Sequence, residues 1–373
     1  MATVGVLRET AEQERRVALT PDVVRRLRDR DPVLVESGAG SHAWFGDDQY
    51  RAAGATIGDR EQVYAGSDVL VCVHPPCDVD RLRPGQTVIG LLAPLTDPGL
   101  AGRLAAAGVT ALSLDLLPRT LSRAQPMDAL TSQANVAGYK AAIVAAEAYG
   151  GYFPLLMTAA GTVRPAQVLV LGAGVAGLQA IATARRLGAV VTGYDVREPA
   201  RAEIASTGAA VLDLGDPAVA SADGYARALT AEESTAQQQA LQEAVTRFDV
   251  VITTAQVPGR RPPVLIPATT LAGMRPGSVV VDLAAGPHGG NVDGSVAGTT
   301  ALVGGVTLIA AGNLAATMPQ AASSAYAKNL LALLAALTPE PDLKDEIQAA
   351  VTVTHAGHIV HPAVRELLEG AAP

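Results

Sequence analysis

Three glycines, Gly172, Gly174 and Gly177, stand in the spacing G-x-G-x-x-G directly after the apolar run at 168–171, and Asp195 closes a second apolar run at 190–194. Between the two runs lies an Ala-rich stretch that ends at Gly188. Strand, tight turn, helix, strand and acid form the order that holds a dinucleotide, and each part has a physical job. Gly172 makes the turn, Gly174 lets the backbone approach a pyrophosphate, and Gly177 lets helix and strand pack closely. The helix start at Val175 and Ala176 offers unpaired N–H groups and the positive end of a dipole to the phosphates. Asp195 can accept hydrogen bonds from the adenosine ribose hydroxyls and would repel a 2′-phosphate, which favours NAD(H) over NADP(H). Arg197, just past Val196, softens that preference. Residues 253–258 follow another apolar run, so Thr254 and Ala255 should lie beside the ribose or nicotinamide. Asp282, last in VVVD, is either structural or lines the cofactor crevice at a carboxyl end of a parallel sheet.

Other groups carry less. His355, His358 and His361 recur every third residue, which puts neighbours on opposite faces of a strand, and no carboxylate or thiol completes a ligand set. No metal site is expected. His74, beside Pro75 and Pro76, has no partner in view. Arg16 could clamp a carboxylate, or form a salt bridge at the entry of a helix.

The elements that must position these residues alternate. Short apolar runs at 3–7, 32–36, 67–73, 87–92 and 109–113 read as strands, separated by helical patterns that include one opened by Pro21, one at 47–53 and one at 100–107. An Ala-rich helix at 132–149, with Gly138 inside it, leads to the glycine motif and to further strands at 248–253, 278–283 and 306–310. Alternation of this kind implies parallel pairing. The fold class is therefore α/β, with two Rossmann-like doubly wound parallel-sheet domains, the first discontinuous. Residues 1–131 plus 321–373 are assigned to the first domain and 132–320 to the second, because a helix at 324–337 and a hairpin-like tail at 349–360, turning at Gly357, should pack back on the first domain. Residues 213–239 are polar with a single aromatic, Tyr225, and read as a surface loop that is either a lid or an insertion.

Composition bounds the function. The chain has 373 residues, enough for two domains with full cores, and with 49% hydrophobic and only 3% aromatic residues those cores must be built from Ala, Val, Leu and Ile. A formal charge of −8 without a basic stripe argues against a nucleic-acid partner. Cys72 and Cys77 are too close together to form a disulfide framework and suit a reducing cytoplasm. The N-terminus lacks an apolar signal region, and no run approaches a membrane span, so no direct membrane insertion is expected.

RAQPMDAL at 123–130, NVAGYKA at 135–141 and MTAAGTVRPAQVLVLGAGVAGLQAIATARRLGAVV at 157–191 together resemble the soluble NAD(H)-binding component of proton-translocating nicotinamide nucleotide transhydrogenase. RETAEQERRVALTP, GSVVVDLAAG, the GGN ending at Asn291, AKNLL and the IVHPA tail fit the same family, which shares fold and ancestry with alanine dehydrogenase. The resemblance implies a homodimer with NAD(H) in an interdomain cleft. It implies hydride exchange with NADP(H) held only by a partner subunit, a membrane-spanning partner, and a peripheral place at the inner face of the membrane. An Arg–Gln–Asp trio in that family positions the nicotinamide and the facing subunit. Gln125 and Asp128 match it, and Arg119 is taken as the arginine with Arg123 structural. Thr131, rather than Ser132, matches a nicotinamide-proximal serine, and Tyr225 the tyrosine of a mobile loop. Two segments depart from the family pattern: Ala315-Ala316-Thr317 replaces a proline-small-arginine step, and Ala285-Gly286-Pro287-His288 is a residue longer.

Hydride transfer between two nicotinamides needs positioning and exclusion of water, with no acid or base. Alanine dehydrogenation needs proton shuttling and cationic partners for the substrate carboxylate. Alanine dehydrogenase implies a lysine at 71–73 and a histidine near 91–94, and VCVHPP and LLAPL carry neither there. Transhydrogenase component is therefore the leading expectation, an amino-acid dehydrogenase of the alanine type the alternative, and a non-catalytic NAD(H)-binding regulatory module the third.

Overall fold

A computed structural model describes residues 2–214, 231–256, 261–338 and 340–370, with backbone alone for 231–234. Contacts divide the chain into two compact units, Met1–Gln133 with Ala315–Pro373, and Ala134–Leu314.

The first unit opens with six short strands: β1 (Val4–Val6), β2 (Val33–Glu36), β3 (Thr56–Gly58), β4 (Val69–Val71), β5 (Thr87–Gly90) and β6 (Thr110–Ser113). They pair in the order β6-β5-β4-β1-β2-β3, every pair parallel. Helices connect them, among them Pro21–Leu27, Asp47–Ala53 and Pro98–Ala106, two of these begun by a proline whose missing N–H costs nothing at a helix start. The few aromatic rings of this core are anchored by their polar ends: Tyr50 donates to the carbonyl of Leu19 at 2.7 Å, and Tyr326 to that of Cys72 at 2.8 Å.

The long helix Ala129–Ala148 follows, its first turn in the first unit. The second unit then holds an antiparallel hairpin, β7 (Leu156–Thr158) and β8 (Gly161–Val163), and seven strands: β9 (Gln167–Leu171), β10 (Val190–Tyr194), β11 (Ala210–Val211), β12 (Val250–Thr253), β13 (Val279–Asp282), β14 (Thr299–Val303) and β15 (Val306–Ala310). Their order is β11-β10-β9-β12-β13-β15-β14. All pairs are parallel except β14 with β15. β12 and β13 are buried along their whole length, as central strands covered on both faces must be, and they read in sequence as unbroken apolar runs. The chain returns to the first unit through the helix Pro319–Ala336, and β16 (Thr352–His355) and β17 (His358–Ile359) extend that sheet antiparallel from β6.

The α/β class with parallel sheets is what the alternation of elements implies. Four details differ. The long helix starts at Ala129, earlier than 132, because Asp128 caps it. Pro319 opens the helix expected at 324. Residues 349–351 finish the helix Glu346–Val351, so the tail hairpin begins only at Thr352. Its turn takes both Ala356 and Gly357 at positive φ, the geometry that a two-residue hairpin loop demands. Finally, β14 is an antiparallel edge strand that the helix-strand alternation gives no hint of.

Candidate functional site

In the second unit, β9, β10 and β11 step one way across the sheet, and β12, β13 and β15 step the other. The order reverses between β9 and β12, and ligands of doubly wound sheets bind outside the carboxyl ends of the strands at such a point. Gly172 follows β9, Asp195 follows β10, and Thr254 and Ala255 follow β12, so one crevice collects all of them.

The glycines have separable roles. Gly172 sits at φ +97°, where a side chain is strained, and a Cβ there would stand 2.6 Å from Thr254 Oγ1. A Cβ on Gly177 would stand 1.8 Å from the Gly172 carbonyl oxygen. Gly174 is exposed, and a Cβ there would meet nothing within 4 Å, so this is where the turn is open to a ligand. The helix Val175–Arg186 begins here without any side-chain cap, leaving the half-buried Val175 and Ala176 to present first-turn N–H groups. Gly138, whose purpose the sequence leaves open, is explained by the same corner: a Cβ on it would lie 2.1 Å from the carbonyl oxygen of Ala176, so the long helix crosses in contact with the first turn of the dinucleotide helix.

Asp195 is buried and its carboxylate is fully engaged. Oδ2 accepts from the Ala173 N–H at 2.8 Å, and Oδ1 from the Arg197 N–H at 2.9 Å. The Arg197 guanidinium adds Nε to Oδ1 and Nη2 to Oδ2, both at 3.0 Å. Burial pushes this carboxyl up, but the Arg197 and backbone hydrogen bonds outweigh it and hold it below the usual range. Val196 beside it is exposed. On the far side of the crevice, the Thr254 hydroxyl donates to the Gly172 carbonyl at 3.0 Å, tying the β12 loop to the glycine turn.

Asp282 proves structural. It is completely buried, and accepts from Thr253 Oγ1 (2.9 Å), the Ala284 N–H (2.9 Å), the Val292 N–H (3.1 Å) and Ser295 Oγ (2.6 Å). What it orders is the GGN segment, and that segment acts on the crevice through Asn291. The buried Asn291 amide accepts from the Ala255 N–H at 2.9 Å and donates to the carbonyls of Ala255 and Pro263, both at 2.8 Å. Asn291 is a residue whose role the sequence concealed; the signal was an amide next to Gly290, where a Cβ would stand 2.1 Å from Asp282 Oδ2. Asn291→Ala should cost about 2–4 kcal/mol, since it strands a buried backbone N–H and two carbonyls, and the check is the midpoint of urea unfolding. An unchanged midpoint would show that the clamp is idle.

The residues of the Arg–Gln–Asp motif lie in the first unit. Asp128 accepts from the Thr131 N–H (2.8 Å), the Thr131 hydroxyl (2.6 Å) and Arg119 Nε (2.9 Å), and Arg119 Nη2 donates to the Thr131 hydroxyl (3.0 Å). Arg119, Asp128 and Thr131 thus form one triangle at the start of the long helix. Burial raises the Asp128 carboxyl, while Thr131 and Arg119 together bring it below its usual value. Gln125 stands exposed on the neighbouring turn Gln125–Met127. Arg123 points elsewhere, pairing with Asp345 at 2.6 Å, and Ser132 donates to Asn329 at 2.7 Å. Tyr225 lies outside the described residues, as does most of the segment around it.

The first sheet reverses its order between β1 and β4, and the carboxyl ends of those strands carry a polar cluster. Arg16, only 4% exposed, forks onto Glu14 through Nε (2.8 Å) and Nη2 (2.7 Å) and reaches Gln133 through Nη1 (2.8 Å). His74 Nε2 lies 2.7 Å from Glu14, and Glu9 accepts from the N–H groups of Val73 (2.6 Å) and His74 (3.1 Å). Burial would raise Glu14, but Arg16 and His74 hold it far below the carboxylate range; burial keeps Glu9 above that range. Arg16 is neither a free clamp nor a salt bridge at a helix entry. It is the centre of a buried network, its fork occupied by an internal carboxylate. Glu14, His74 and Gln133 were the partners that sequence reasoning missed.

His355 and His358 correct another expectation. The two-residue turn makes them cross-strand partners, and such partners share a face. His355 Nδ1 is 3.1 Å from the Thr110 hydroxyl, and burial lowers the pKa of His361. Among the described residues no three His, Cys, Asp or Glu side chains gather as a metal-holding group.

Two parallel-sheet units, one with a glycine turn and ribose acid at its switch point, define the class: a Rossmann-type nucleotide-binding oxidoreductase. The chain belongs to the alanine dehydrogenase/PNT family, whose N-terminal domain matches residues 5–137 and C-terminal domain residues 141–362. It is 40% identical to the separately encoded first portion of NAD(P) transhydrogenase subunit alpha of Rhodospirillum rubrum, over 97% of this chain and 98% of that one. The crystal structure of transhydrogenase from Sinorhizobium meliloti superposes with a TM-score of 0.84 at 40% identity, covering 97% of this chain and 99% of the other. An L-alanine dehydrogenase structure gives 0.82 at 28% identity, covering 99% and 100%. No described helix is long and apolar enough to cross a membrane.

Proposed function

We propose that the chain is the NAD(H)-holding component of a transhydrogenase, exchanging hydride with NADP(H) carried by a different subunit. The observation that carries this reading is the switch-point crevice, where Gly172, Gly174, Gly177, Asp195, Thr254 and Ala255 converge, in a chain alike over nearly its whole length to a transhydrogenase alpha subunit. The residues fit the cofactor: the turn is open only at Gly174, beside uncapped helix N–H groups, and a carboxylate stands at the end of the adjacent strand. When bound, NAD(H) supplies or accepts the hydride.

The protein's own residues bind and orient. First-turn N–H groups at Val175 and Ala176 receive the pyrophosphate, Asp195 receives ribose hydroxyls, and Ala255, held by Asn291, borders the ring end. Arg119, Gln125, Asp128 and Thr131 are positioning groups for the nicotinamide and the facing subunit. No proton moves with a hydride, so none of them has to titrate. Such a component works with membrane-spanning and NADP(H)-binding partners at the inner face of the membrane, and pairs with a second copy of itself. The β7–β8 hairpin favours that pairing: it joins no other described strand and exposes Met157 to 75%.

The alanine dehydrogenase alternative is not favoured, because the buried arginine of the first crevice, Arg16, already holds Glu14. The test is NADH binding, followed by nicotinamide fluorescence, together with NADH oxidation in the presence of pyruvate and ammonium. Binding without turnover is expected, with turnover appearing only when an NADP(H)-binding subunit is added. Sustained oxidation with pyruvate and ammonium would overturn the proposal.

A further inference from the structure

A carboxylate has about four acceptor positions. In Asp195 all four are used, two by backbone N–H groups of Ala173 and Arg197 and two by the Arg197 guanidinium. The backbone donors are fixed by the fold, so ribose hydroxyls can reach this carboxylate only by replacing the guanidinium. The side chains are disposed for that exchange: that of Asp195 is 7% exposed, that of Arg197 62%, so the arginine covers the face of the acid that opens to solvent. A second cation stands one helical turn on, where Arg201 Nε donates to the Asp195 carbonyl at 3.4 Å. Glu203, on the same helix, also acts on Arg197.

We propose that Arg197 sets the nucleotide choice of this crevice: its guanidinium gives up Asp195 to the ribose hydroxyls of NAD(H), and turns to the 2′-phosphate when NADP(H) enters. The inference rests on the NAD(H) reading above and adds what that reading lacks, a specificity residue acting through its pairing with the acid. Two physical effects follow, and they have opposite signs. As a competitor for Asp195, Arg197 weakens NAD(H). As the counter-charge of Asp195 and a fork for phosphate oxygens, it strengthens NADP(H), whose 2′-phosphate would otherwise face a bare carboxylate. The site therefore discriminates less than its acid alone would.

NADH and NADPH titrations of the full chain, read by nicotinamide fluorescence, separate these effects in wild type, Arg197→Ala and Asp195→Asn. The wild type should bind both nucleotides, NADH more tightly. Arg197→Ala should bind NADH at least as tightly as wild type and NADPH about tenfold more weakly or worse. Because the arginine is exposed, its thermal melt should match wild type. Asp195→Asn should do the reverse, weakening NADH while sparing NADPH. If Arg197→Ala weakens both nucleotides alike, the arginine touches the part they share and the proposal falls. It falls also if NADPH binding is unchanged in Arg197→Ala, or undetectable in wild type. Failure of the underlying reading looks different: wild type would then bind neither nucleotide.

Discussion

Gly177→Ala should abolish NADH binding at any practical concentration, a loss of about a hundredfold or more in affinity. The added methyl would stand 1.8 Å from the Gly172 carbonyl oxygen, 2.8 Å from its carbon and 3.1 Å from Thr254 Oγ1. None of these is the end of a flexible side chain. The carbonyl belongs to the turn itself, and it already accepts the Thr254 hydroxyl at 3.0 Å. Relief requires the helix Val175–Arg186 to move away from β9, which carries its first-turn N–H groups off the phosphate position and breaks the tie to the β12 loop. A strain of this kind costs about 1–3 kcal/mol, so the variant should fold but melt earlier. Gly174→Ala is the control. Its backbone is extended at φ −77° and ψ −169°, and the methyl would meet nothing within 4 Å, so its melt should equal that of wild type. Any weakening of NADH in Gly174→Ala then reports crowding of the ligand alone. Wild-type affinity in Gly177→Ala would show that the turn is not the phosphate site.

The contrast between these two glycines also marks what a sequence can carry. Turn, helix start and acid are local, each fixed by residues a few positions apart, and they lie where the spacing implies. Asp282 could not be resolved because its four donors come from Thr253, Ala284, Val292 and Ser295, brought together only by the pairing of β12 with β13 and the fold of the GGN loop. Arg16 is a similar case, since its partner Gln133 is distant in sequence and His74 sits on another strand end. The histidines of the tail misled for a different reason: a three-residue spacing means opposite faces only along a continuous strand, and the turn at Ala356–Gly357 intervenes. The edge strand β14 was legible in principle. Gly304–Gly305, both at positive φ, is the two-residue hairpin signal between ALV and VTL, but a chain otherwise reading as helix-separated strands draws attention away from it.

Gln125→Ala should leave NADH affinity and thermal stability at wild-type levels while lowering hydride exchange with an NADP(H)-binding partner about a hundredfold. The reasoning starts from the different employment of the three motif residues. Asp128 caps the long helix through the Thr131 N–H, so Asp128→Ala would remove a cap worth about 1 kcal/mol and disturb Arg119 and Thr131 with it. Lost rate in that variant cannot be separated from a displaced helix start. Arg119 is likewise bound into the triangle. Gln125 alone is exposed on the turn Gln125–Met127, where the backbone, not the amide, makes the turn: its carbonyl accepts from the Asp128 N–H at 3.2 Å. An alanine keeps that turn. What it removes is an outward amide able to hold a carboxamide ring or a facing subunit in register, and a misplacement of about 1 Å between reacting atoms costs about a hundredfold in rate. The measurement is single-turnover exchange in the reconstituted complex, at NADH concentrations that saturate both proteins. Undiminished exchange in Gln125→Ala would remove this residue from the machinery and leave the Arg119–Asp128–Thr131 triangle as a helix cap and nothing more.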